Sequence, residues 1–112
     1  MSVINAKNVN YYDATALAAS AVIKATPGTL YSVTGYNDHT ASQFIQLHDA
    51  ASVPANGAVP KIVLAVGAKE NFWYELKEFG RWFETGIVIC NSSTCATKTV
   101  GSANCWWNAQ YD

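Results

Sequence analysis

The sequence predicts an all-β chain: one antiparallel β-sandwich, jelly-roll or immunoglobulin-like, with about eight strands across residues 1–112. Three observations predict it. Short runs of alternating or β-branched residues recur along the chain. Gly, Pro, Asn and Asp separate them, as turns require. Half of the 112 residues are hydrophobic and only 13% are charged, enough apolar material for one real core. That charged fraction is about half the usual one, so part of the surface is expected to touch protein.

The runs lie near residues 3–10, 21–26, 29–36, 43–49, 61–67, 71–77, 85–91 and 103–111. Between the first two, Asp13 could cap an Ala-rich helix through Ala14, Ala16, Leu17, Ala18, Ala19 and Ala21. The preferred reading is a loop followed by a strand over 21–25. The run 29–36 is entered through Pro27-Gly28 and left through Asn37-Asp38, which marks a strand between two turns. Over 43–49, Ile45 and Leu47 share a buried face, and Gln46 and His48 share one expected to be partly wet, with Phe44 as the exception. Residues 50–60 carry Pro54, Gly57 and Pro60 and no large side chain except valine, so they form a long connection, expected to cross between sheets.

Residues 62–66 and 87–90 are apolar on both faces and need cover from outside the sandwich, for which a neighbouring subunit is a candidate. Over 71–77, Phe72, Tyr74 and Leu76 alternate with Trp73, Glu75 and Lys77. Over 103–111, Cys105, Trp107, Ala109 and Tyr111 share a face opposite Asn104, Trp106, Asn108 and Gln110. Trp73 and Trp106 are therefore outward tryptophans, while Phe72, Tyr74 and Trp107 belong to the core.

Seven Lys and Arg against eight Asp and Glu give a net charge of −1 with no basic cluster, which argues against a nucleic-acid partner. No apolar run approaches the roughly 20 residues that span a bilayer. The opening Met1-Ser2-Val3-Ile4-Asn5-Ala6-Lys7 lacks a basic stretch followed by an apolar one, so no secretion signal is expected and synthesis is assigned to the cytoplasm. Cys90, Cys95 and Cys105 cannot all pair within the chain, and their spacing fits no common zinc pattern, so reduced, half-buried thiols and no metal are expected.

No catalytic set emerges. His39 follows Asp38 in a turn, and His48 and Asp49, as neighbours on a strand, face opposite ways. Glu70, Glu75, Glu78 and Glu84 surround an aromatic stretch with nothing to fix one opposite another, as glycoside hydrolysis would need. No phosphate loop, dinucleotide fingerprint or nucleophile elbow occurs, and no cofactor is implied. Asn91-Ser92-Ser93 matches a glycosylation acceptor, relevant only in a secreted eukaryotic protein. The aromatics carry the information instead: Trp73, Trp82, Trp106 and the pair Phe79 and Phe83 gather with Arg81 and Asn108. Trp, Tyr and Arg are the types enriched where proteins meet, so Trp73, Trp106, Trp82 and Arg81 are the candidate contact residues.

Four stretches in order carry a resemblance: Thr26-Pro27-Gly28-Thr29-Leu30-Tyr31; Gln43-Phe44-Ile45-Gln46-Leu47-His48-Asp49-Ala50; Val53-Pro54-Ala55-Asn56-Gly57-Ala58-Val59-Pro60; and Gly86-Ile87-Val88-Ile89-Cys90-Asn91-Ser92-Ser93-Thr94. Together they make the chain resemble small β-sandwich structural proteins of tailed bacteriophage particles, of the head decoration or auxiliary type. The resemblance implies a non-enzymatic virion protein without cofactor, made in the host cytoplasm, self-associating (a trimer above all) and attached to other virion proteins. The cysteines at 90, 95 and 105 and the tryptophans at 106 and 107 depart from that pattern, which bears on the partner surface more than on the fold. The competing expectation is a carbohydrate-binding module or receptor-binding domain that stacks a host-surface glycan on its outward tryptophans.

Overall fold

A computed structural model describes residues 9–112, and among these it contains strands, turns and no helix. The strands are β1 (Asn10–Asp13), β2 (Ser20–Lys24), β3 (Gly28–Asn37), β4 (Gln43–Asp49), β5 (Ile62–Val66), β6 (Glu70–Glu75), β7 (Arg81–Phe83), β8 (Ile87–Ser92) and β9 (Cys105–Tyr111). The run expected near 3–10 lies outside the described residues except for its last two positions. The segment after Asp13 is a loop leading to β2, as preferred over an Ala-rich helix.

All pairings are antiparallel, and they nest: β1 pairs β9, β2 pairs β8, β3 pairs β6, and β4 pairs β5. The chain is thus one long folded hairpin wrapped around itself. Wrapping yields two sheets, β1-β9-β3-β6 and β2-β8-β4-β5, with β7 continuing the β6 side of β3. This is the strand order of a jelly roll, and it replaces the immunoglobulin-like alternative.

Between the sheets, Leu30, Val33, Ile45, Leu47, Phe83, Ile87, Ile89, Cys105 and Trp107 are at most 1% exposed. Strict alternation along β3 would have put Ser32 on the same face as Leu30. A bulge between Leu30 and Ser32 shifts the register and turns Val33 inward instead. Further along β3, Gly35 lies opposite both Phe72 and Trp107, whose rings meet at 5.7 Å over the space a side chain would fill. Trp107 donates its indole N–H to the Ala18 carbonyl at 3.2 Å, so its one polar atom is satisfied.

The outer face of the second sheet is dry at Gln46 and His48 of β4 and along β8. Gln46 and His48 are 0% and 3% exposed, against the expectation of a partly wet face. Their cover is the chain's own, from residues 50–60 and 93–100, so no neighbouring subunit is needed over β8. Gln46 Nε2 donates toward the carbonyls of Thr94, Cys95 and Thr97 at 2.9, 3.0 and 3.1 Å. Gln46 Oε1 faces His48 Nε2 at 3.0 Å, which places the imidazole proton on Nε2. The covering segments are zipped together, with Gly57 N–H donating to the Lys98 carbonyl and Lys98 N–H to that of Ala58, both at 2.7 Å. Residues 50–60 therefore join neighbouring strands of one sheet and do not cross between sheets; their length serves as a lid.

Burial, with a smaller contribution from Lys98, holds the His48 imidazole below its ordinary value. The three cysteines are unpaired, but not half-buried: Cys90 and Cys105 are fully buried and Cys95 is exposed. Burial pushes the Cys90 thiol up to about 11 and the Cys105 thiol up to about 12, which makes both poor nucleophiles.

Candidate functional site

The outer face of the first sheet follows from period-two alternation on four strands. Register sets the rows: Tyr11, Gln110, Ser32 and Glu75 run across it, then Asp13, Asn108, Thr34 and Trp73, then Trp106, Tyr36 and Asn71. Trp73 is 73% exposed and Trp106 37%. They stand on opposite sides of β3 and two residues apart in register, about 12 Å between Cα atoms from the strand spacings.

Trp73 rises between two grooves. The first, about 430 Å³, is lined by Tyr31, Ser32, Glu75, Glu78 and Gln110 together with Trp73. The second, about 380 Å³, lies between Trp73 and Trp106 over Thr34, Tyr36, Asn71 and Asn108. Two weak links tie this face together, Asn108 to Asp13 and Ser32 to Gln110, both at 3.3 Å. The Asn71 amide, Asn108 Oδ1 and Gln110 Nε2 have no hydrogen-bond partner among the described residues.

The four candidate residues do not form one cluster. Trp82 is 60% exposed on the same face as Trp73, but it pairs with Thr29 at the far end of β3. Arg81 pairs with Leu30 and so points the other way, its guanidinium 5.7 Å from the Phe83 ring centroid. The pair Phe79 and Phe83 also divides: Phe83 is buried in the core, and Phe79, at the β6–β7 turn, is 75% exposed. Positive φ at Lys77 and Gly80 shapes that turn. Sequence reasoning missed Tyr11, Ser32, Thr34 and Tyr36, which register alone brings to this face.

Elsewhere, His39 and Asp49 have structural partners. His39 Nδ1 accepts the Ala41 N–H at 3.0 Å inside its turn. Asp49 accepts the N–H groups of Thr85, Glu84 and Gly86. Burial pulls its carboxyl upward, but those three donors and Lys61 more than offset it and hold Asp49 below its ordinary range. Of the scattered glutamates, Glu75 and Glu78 do come to one groove, the first exposed and the second half-buried, with Lys77 between them. Among the described residues no three His, Cys, Asp or Glu side chains gather closely enough to hold a metal ion.

The arrangement offers aromatic plates, free amides and few charges, which suits binding. In comparisons with known proteins, no family model, curated protein or solved structure matches this chain. The likeness to phage structural proteins rests on the four sequence stretches alone.

Proposed function

We propose that this protein is a non-enzymatic structural component of a tailed-phage particle, a capsid decoration or auxiliary protein or a neck or tail component, that self-associates and docks on other virion proteins. The observation that carries this reading is the apolar edge at the β6–β7 turn and β7, where Phe79 and Trp82 are both more than half exposed. An apolar edge of this kind on a small domain marks a contact surface. Among the described residues, β6 and β7 pair with no strand other than β3, which leaves a sheet edge there for a partner.

A second copy of the chain is the first partner this edge fits. Lys77 lies beside Glu75 and Glu78, and none of them is ion-paired among the described residues, so one patch carries both signs. Such a patch is complementary to itself under rotation. Two-sheet jelly rolls recur in viral capsid and in lectin domains, and the sequence resemblance favours the first.

The test is the native mass of the purified protein by light scattering across micromolar concentrations. A stable oligomer, a trimer above all, is expected, and F79A with W82A should lower the mass while leaving the far-ultraviolet spectrum unchanged. A wild-type monomer at every concentration would remove the self-association reading.

A further inference from the structure

We infer that the outer face of the first sheet binds an uncharged oligosaccharide, with the Trp73 indole separating two adjoining sugar subsites. The inference is independent of the virion reading, because Phe79 and Trp82 line neither groove.

A pyranose has one face made of C–H bonds and a rim of hydroxyls. The C–H face carries slight positive charge and lies well on the negative face of an indole. Trp73 has a groove on either side, so a ring can lie against each, and Trp106 closes the second groove on its far wall. The rim hydroxyls need groups that both donate and accept. Side-chain amides do both, and Asn71, Asn108 and Gln110 present the unused atoms named above. Ser32 and Thr34 add hydroxyls at the floor between them.

Charge selects the class. The second groove is lined by no ionisable side chain except the Tyr36 phenol, and the first holds Glu75, Glu78 and a single Lys77. An anionic glycan would meet an excess of carboxylates, whereas a neutral one meets none of that repulsion. A flat protein partner would bury these amides without matching them, at a cost for each one left unpaired.

The full chain is titrated with neutral hexasaccharides: α-1,4- and β-1,4-linked glucose, β-1,4-linked mannose and β-1,4-linked N-acetylglucosamine. Tryptophan fluorescence and calorimetry are recorded. At least one should bind saturably; W73A should weaken it tenfold or more and N71A or N108A several-fold, while V59A on the opposite side changes nothing. Native mass is measured for each variant, and W73A should keep the wild-type value. No saturable response to any of the four, undiminished binding by W73A, tighter binding of a polysialic acid chain, or a W73A protein of lower mass would each overturn the inference. The last result would assign Trp73 to the subunit contact.

Discussion

Replacing Gln46 with leucine should unlatch the lid over the second sheet. The leucine fills a similar volume but removes the amide that faces three carbonyls and the oxygen that receives the His48 proton. The cost follows from which partners have a second donor. The Thr94 carbonyl keeps the Ser92 hydroxyl at 2.8 Å, and the Thr97 carbonyl keeps the Thr94 hydroxyl at 2.6 Å. The Cys95 carbonyl and His48 Nε2 keep no other partner among the described residues. Two orphaned groups at 1–3 kcal/mol each, one of them near solvent at exposed Cys95, give a loss of about 3 kcal/mol. Against a total of roughly 5–15 kcal/mol that is a large fraction.

Two readouts check the Gln46 prediction. Urea unfolding should show the lower midpoint, and thiol labelling mapped by mass spectrometry should show where the molecule opens. In the wild type only Cys95 should react quickly. In Q46L, Cys90 should join it, since it pairs directly with residue 46 and lies under the same segment, while Cys105 in the core stays protected. A loss below about 1 kcal/mol with Cys90 as protected as in the wild type would refute the idea that this amide holds the lid.

His48 should make stability depend on pH in a defined sense: with its folded value below 6.5, the unfolded chain takes up the proton first, so its contribution is full above pH 6.5 and falls as the pH drops below it. Urea midpoints between pH 7.5 and 5.5 should therefore decline in the wild type, and H48Q should flatten that slope. Asp49 acts in the same sense at lower pH, as a carboxyl depressed below 3.8 whose stabilisation is present above that value and lost as the pH falls through the folded one. D49N, which turns its amide NH2 toward the Glu84 N–H, should cost about 1 kcal/mol at pH 7 after discounting for solvent and should weaken the loss seen on acidification, measured by denaturation from pH 5 to 2.5. G35A should be the most damaging small change, because the new methyl would sit 2.0 Å from the Trp106 carbonyl oxygen and 2.4 Å from the Phe72 ring. A loss above about 3 kcal/mol or failure to fold is expected, and a melting temperature near wild type would contradict the packing described.

The outward setting of Trp73 and Trp106 was legible because alternation is a local property: once one face of a strand is dry, neighbouring side chains take opposite sides whatever lies beyond. The same logic identified Phe72, Cys105 and Trp107 as inward, and Asp49 as the end of β4. It could not show β7, since Arg81, Trp82 and Phe83 are too few to display a period and become a strand only by pairing with β3. Nor could it place the bulge before Ser32 or bury Gln46 and His48, since the Gln46 amide is satisfied by a loop about fifty residues away in sequence and its oxygen in turn meets His48.

What the sequence determined by itself was the set of strands in most of the chain, their dry faces and the aromatic character of the exposed one. The choice between jelly roll and immunoglobulin-like order, the division of the four candidate residues among different places, and the two grooves beside Trp73 were decided only by tertiary structure. The physical reason is that alternation fixes a side chain's direction relative to its own strand, whereas a site depends on which strands lie side by side and in what register. That pairing is settled when the nested hairpin closes and distant strands bury a shared core.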